Sequence, residues 1–169
     1  IEIKNNTDYT IREIVGSMMQ SFEDTNPTSE ALIKYFDKNE VDILGSFMKY
    51  FGDITENDLS QECNMNSNIN DQNCEIAFLK SCALCHSSVM MKKSIFRNLI
   101  EYNCNFSHGE DYDLWLSALK SGYKIKKIEK VLVNMRCHND SKTKSIDPQY
   151  SVLEDHIQAR IDYLKDILM

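Results

Sequence analysis

Glu110 and Asp111 stand where a loop carrying Gly109 meets the start of an amphipathic run. Backbone N–H groups and the positive dipole end at a helix N-terminus hold a carboxylate ionised. A carboxylate so held, projecting into a cleft, suits a general base that deprotonates a hydroxyl. Acids at a helix start also serve as plain first-turn residues, and spacing alone does not separate the two roles. Trp115 is the single tryptophan and follows Asp111 by one helical turn, on the same face. An indole there either stacks on a sugar face or packs into the core. Arg136 and His138 close a strand-like run. The guanidinium suits a phosphate or a neighbouring acid, and the imidazole suits a metal ion or a structural hydrogen bond. The acidic turn Phe22-Glu23-Asp24-Thr25-Asn26-Pro27 places two oxygen ligands, Asp24 and Asn26, two residues apart. They can hold Mg2+ or Mn2+ against a diphosphate, or cap the helix that follows. Cys82-Ala83-Leu84-Cys85-His86 contains a CxxC. A zinc site needs two further ligands, drawn from Cys104, His108, Cys137 and His138, and no second CxxC occurs.

These residues need elements to position them. Residues 11–20 read as a short helix with Ile11, Ile14, Val15 and Met18 on one face. Pro27 and Thr28 mark the start of a second, with Leu32, Ile33, Tyr35 and Phe36 as its buried stripe and Asn39 at its end. The run 41–53 is β-branched and aromatic and closes on Gly52-Asp53, so it reads as a strand. Residues 54–73 are polar and asparagine-rich with no period, and read as a surface loop. The stretch 74–91 begins as a short helix and ends extended, and Ser94 caps a helix through Ile95, Phe96, Leu99 and Ile100. The helix behind Glu110 and Asp111 carries Leu114, Trp115, Ala118 and Leu119 on one face and stops at Gly122. Two strand-like runs follow, at 123–128 and 131–138. A last helix, from about 150 to 169, carries the stripe Leu153, Ile157, Ile161, Leu164 and Leu168. Mixed helices and strands make the class α/β or α+β, with no internal repeat.

Composition narrows the function. The 169 residues suffice for one domain with a sizeable core. Apolar residues make up 42% and charged residues 27%, ordinary for a globular chain. The net charge of -7 and the lack of a basic stripe argue against nucleic-acid binding. No apolar run reaches the roughly 20 residues a membrane span needs. Six cysteines in a chain of this apolar content read as reduced thiols of a cytoplasmic protein. There is no Walker loop, GxGxxG, GxSxG or HExxH. The chain opens on Ile1 rather than Met, which fits a fragment or a processed product.

Three blocks, taken in order, carry a resemblance: HSSVMMKKSIF at 86–96, HGEDYDLWLSALKSGYKIKKI at 108–128 and VLVNMRCHNDS at 131–141. With the gaps between them, they resemble the second half of family 2 glycosyltransferases. Residues 32–53 resemble the helix and strand that follow that family's metal-binding motif. The similarity spans about residues 22–145, and the Glu110-Asp111 block is its most specific part. It implies a partial GT-A-like α/β fold, a mixed sheet flanked by helices, in one truncated domain over 1–169. Only some twenty residues precede the acidic turn, so the nucleotide-binding half is largely absent. It also implies transfer of a sugar from a nucleotide-sugar donor to an acceptor hydroxyl, with inversion. By position, Asp111 is the general base and Glu110 its orienting neighbour. Trp115, His86 and Arg136 contact substrate, and Asp24, Asn26 and His138 hold Mg2+ or Mn2+ at the diphosphate. Any membrane association, at the cytosolic face, then belongs to a missing part of the parent protein. Two other readings stand beside it: a non-catalytic binding module derived from such an enzyme, and a small zinc-stabilised interaction domain.

Overall fold

The apolar run that follows Val41 forms the central strand of an open sheet. A computed structural model describes residues 9–10, 32–36, 38–97, 102–106, 108–138 and 148–169. The strands are β1 (Tyr9–Thr10), β2 (Ile43–Gly52), β3 (Met90–Lys92) and β4 (Ile125–Cys137), in the order β1-β3-β2-β4. β3 runs antiparallel to β1 and β2, whereas β2 and β4 are parallel. The helices are α1 (residues 32–36), α2 (Glu56–Met65), α3 (Cys74–Lys80), α4 (Ser94–Arg97), α5 (Glu110–Lys120) and α6 (Pro148–Leu168). A parallel pair needs a crossover, and residues 53–124 supply it. The chain is therefore α/β, a mixed open sheet flanked by helices. Among the described residues, no helix is long and apolar enough to cross a membrane.

Side chains alternate across a strand, and the core divides accordingly. Ile43, Met91 and Ile125 join a large apolar cluster with Phe78 of α3, Leu114, Trp115 and Ala118 of α5, and Ala159 and Tyr163 of α6. Their neighbours Leu44 and Met90 point to the other face and pack with Leu32 and Phe36 of α1 and with Val41. Of the expected stripe of α1, Leu32 and Phe36 are buried and Ile33 and Tyr35 partly so. The helix expected at 11–20 and the strand end at Ile1–Ile3 lie outside the described residues.

Two expectations are corrected. Residues 54–73 are not a loop throughout, because α2 occupies Glu56–Met65. Its N-terminus is a full capping box: Thr55 Oγ1 accepts from the Asp58 N–H at 3.2 Å, and Asp58 Oδ2 accepts from the Thr55 N–H at 2.8 Å. The runs 123–128 and 131–138 are one strand rather than two. Ser46 lies opposite Ile128 but Phe47 opposite Val131, so β4 bulges at Glu129-Lys130 and continues.

The end of α5 follows the sequence. Gly122, at φ +79, takes the left-handed position that stops a helix. The N–H groups of Gly122 and Tyr123 bond back to the carbonyls of Leu119 and Ala118, at 2.9 and 3.0 Å. On α6, Ala159 and Tyr163 face the core, whereas the apolar stripe Leu153, Ile157, Ile161, Leu164 and Leu168 is turned outward and exposed.

Candidate functional site around Asp111

The N-terminus of α5 is fixed from two sides. Tyr112 is fully buried; its hydroxyl donates to the Phe78 carbonyl of α3 and accepts from Arg160 Nε of α6 at 2.8 Å. The Tyr112 ring also lies 4.5 Å from the His156 ring and 5.4 Å from the Arg160 guanidinium, centroid to group. Gly109 caps α5 without a side chain, and α6 crosses directly over it. A Cβ at Gly109 would stand 2.8 Å from the Asp155 Cβ, so this close crossing requires glycine. Asp155 Oδ2 accepts from the His108 N–H at 2.9 Å, tying the preceding loop to the same helix.

Asp111 is held partly buried in this frame, and its Oδ1 accepts from the Tyr112 N–H at 2.7 Å. Burial, and then the charge of Glu110, push its carboxyl up to about 6 against an ordinary 3.8. The backbone N–H groups pull the other way and lose. Asp111 thus titrates close to neutrality, where a carboxylate is ionised yet basic enough to take a proton. Asp113, farther along the helix, is also raised by burial and is steadied by a hydrogen bond from Asn103.

The thiols of Cys82 and Cys85 lie within electrostatic reach of Asp111. Burial raises both, Cys85 to about 11, and the Asp111 charge adds to the rise, so both are neutral at ordinary pH. Cys85 Sγ lies 3.3 Å from Met135 Sδ on β4. The CxxC therefore contributes two neutral thiols to the electrostatic neighbourhood of the carboxylate. Among the described residues, no three of His, Cys, Asp and Glu converge to hold a metal ion.

The structure brings Trp115 and His86 together. Their ring centroids are 5.9 Å apart, and His86 Nε2 shares a 2.9 Å hydrogen bond with Tyr102 Oη. Trp115 is 0% exposed, which corrects the idea of an open stacking platform: both ring faces are against protein. Its Nε1 is buried with no hydrogen-bond partner among the described residues. Trp115 accordingly packs α5 onto the core beside His86.

Two further expected residues sit at or just after the end of β4. Arg136 is exposed near the end of β4, opposite Phe51, and His138 follows the strand, partly buried. There the Asp53 N–H bonds to the Cys137 carbonyl at 3.1 Å. Both therefore stand at the carboxyl ends of the parallel strands β2 and β4, where open α/β sheets bind ligands. Asp24 and Asn26 lie outside the described residues, so only His138 of the expected metal ligands is placed. The described residues do not make up the expected Mg2+ or Mn2+ site.

Tyr102, Tyr112 and Arg160 were not singled out in the sequence, although they fix the site. Sequence separations of 16 residues from Tyr102 to His86 and 48 from Arg160 to Tyr112 leave no local signal. No family model, curated protein or solved structure matches the chain.

Proposed function

We propose that this chain is the acceptor-binding, catalytic-base portion of an inverting glycosyltransferase. The observation that carries the reading is Asp111. It is a partly buried carboxylate at the start of a rigidly packed helix, with its proton affinity raised to about 6. The resemblance of residues 86–96, 108–128 and 131–141 to family 2 glycosyltransferases supports it.

In this reading, Asp111 takes the proton of an acceptor hydroxyl as that oxygen attacks the anomeric carbon of a nucleotide sugar. The bond from that carbon to the diphosphate breaks on the opposite side, and the anomeric configuration inverts. Glu110 strengthens Asp111 as a base through its charge. His86 borders the acceptor hydroxyl, and Arg136 attracts the departing diphosphate. Asp24, Asn26 and His138 with Mg2+ or Mn2+ complete the reading on the resemblance alone.

The test begins with calorimetric titration of the chain by UDP and then GDP, with and without Mn2+. Metal-dependent binding to either nucleotide supports a surviving donor site. No binding in any arm favours a non-catalytic module, or a portion whose donor site resides in another segment. With activity in hand, Asp111→Asn is expected to lower transfer by about 100-fold or more while leaving nucleotide binding in place. The wild-type rate should rise with pH through about 6 as the base ionises. Full activity in Asp111→Asn would remove Asp111 from the mechanism.

A further inference from the structure

α6 is held to the domain along one face. Ala159 and Tyr163 are buried in the core, Arg160 reaches the Tyr112 hydroxyl, and Asp166 pairs with Lys120 of α5. The opposite face carries Leu153, Ile157, Ile161, Leu164 and Leu168. Even the least open of them, Leu164, is 38% exposed, and Leu168 is 82% exposed. Their steps of 4, 4, 3 and 4 residues keep them on one stripe of a straight helix. At the rise of an α-helix the stripe is about 22 Å long. Apolar residues scattered on a surface need no explanation, but a contiguous stripe of branched ones marks an interaction surface.

The charges beside the stripe select its partner. Glu154 and Lys165, both exposed, stand eleven residues apart, which is three helical turns. They therefore lie on the same flank of the stripe, near its opposite ends, with the uncharged Gln158 between them. An antiparallel two-fold pairing lays this flank against its own copy in reverse. Glu154 of each copy then meets Lys165 of the other, so the pair forms twice. A helix with like charges at both ends, or with none, lacks this match. A parallel pairing sets the flank against the other one instead, where Arg160 is engaged by Tyr112 and no acid answers Lys165. Lys165 is held within its own helix only by Asp162, an exposed pair at 3.6 Å that is worth little. Covering the stripe on both copies removes on the order of 1,000 Å² from water, near the lower bound of specific interfaces.

We propose that the outward face of α6 is a self-association surface, and that two copies of this chain pair through antiparallel α6 helices. The bonds that fix the start of α5, from Asp155 to His108 and from Arg160 to Tyr112, lie off this face and stay as they are.

Sedimentation of the unmodified chain should show a monomer–dimer equilibrium with a Kd on the order of 100 µM. A chain still monomeric at about ten times that concentration overturns the proposal. Ile161→Glu places a charge in the middle of the stripe and should leave monomer alone. Its melting transition should persist, because Ile161 is already exposed. Undiminished dimer in this variant overturns the proposal. If Ile161→Glu loses its melting transition, Leu168→Glu, at the most open position of the stripe, takes its place with the same expectation. Charge exchange reads the orientation. Glu154→Lys and Lys165→Glu, each alone, set two like pairs across the interface and should weaken the dimer about fivefold or more. The two together restore opposite signs and should return the Kd to within about twofold of the wild type. Single variants that dimerise like the wild type, or a double variant as weak as the single ones, overturn the antiparallel pairing.

Discussion

α5 and α2 are near equals in length, at 11 and 10 residues, and are stabilised in opposite ways. α5 has no side-chain cap and buries Tyr112, Leu114, Trp115, Leu116 and Ala118. α2 has a complete capping box and buries Asp58 alone. A helix locked by its packing can leave its N-terminal turn uncapped, and there the chain places Gly109 under α6 and Asp111 beside the CxxC. A helix with no fully buried apolar side chain relies more on satisfying its ends from within, and its polar side chains Glu62 and Asn66 reach the neighbouring strand edge. Rigidity gathers where the proposed chemistry sits, and reversible attachment where the sheet is open.

The sharpest way to break this contrast is to remove the apolar anchor of α5. Trp115→Ala should lower global stability by about 3–5 kcal/mol, since it empties a fully enclosed indole site. Leu59→Ala on α2 should stay within about 0.5 kcal/mol, because that side chain is exposed. Urea unfolding of both variants measures the pair, and comparable losses would erase the distinction between the two helices.

This contrast also marks what the sequence makes legible. β2 was readable because its apolar run is bounded by Gly52-Asp53, and α5 because Leu114, Trp115 and Ala118 recur on one face before Gly122. α2 was missed because a helix that buries nothing apolar has no periodic stripe; Thr55-x-x-Asp58 was its one signal. β4 was split because Glu129-Lys130 interrupts its apolar pattern, and only the partner strand shows that the interruption is a bulge. Within the site, the position of Asp111 at a helix start was legible from Gly109 onward. Its electrostatic proximity to Cys82 and Cys85 was not, because an approach across some thirty residues depends on the fold. The outward stripe of α6 shows the converse: helical periodicity was read correctly, yet the buried face is set by Ala159 and Tyr163.

A change of intermediate size comes from the charge on Asp111. Its carboxyl rises from 3.8 unfolded to about 6 folded, so folding favours the protonated form. The stability this contributes is fully present below about pH 3.8 and is lost as pH rises through about 6. Two pKa units correspond to about 3 kcal/mol. Asp111→Asn keeps the shape without the charge. Relative to the wild type, its melting temperature should climb from pH 4 to pH 7, even as the proposed activity is lost. A difference that stays flat across that window would mean that burial does not penalise this carboxylate, and the case for a tuned base would weaken with it.

The smallest effect separates the two helices most cleanly. Thr55→Ala removes the side-chain half of the α2 capping box and should cost about 1 kcal/mol. A state in which α2 detaches by unravelling lacks that cap already, so the variant brings that state closer to the native one. Amides of α2, Met48 and Tyr50 should then exchange roughly fivefold faster, following the same 1 kcal/mol. Trp115→Ala should do the reverse. It lowers the free energy of global unfolding, yet it leaves the opening of α2 unchanged, because a detached α2 does not expose the indole site. Exchange at Met48 and Tyr50 in the two variants therefore distinguishes a helix that opens alone from one that moves only when the whole domain unfolds. If Trp115→Ala accelerates those two amides as strongly as it accelerates the core of α5, the helices belong to a single cooperative unit, and the edge of β2 is bared only on global unfolding.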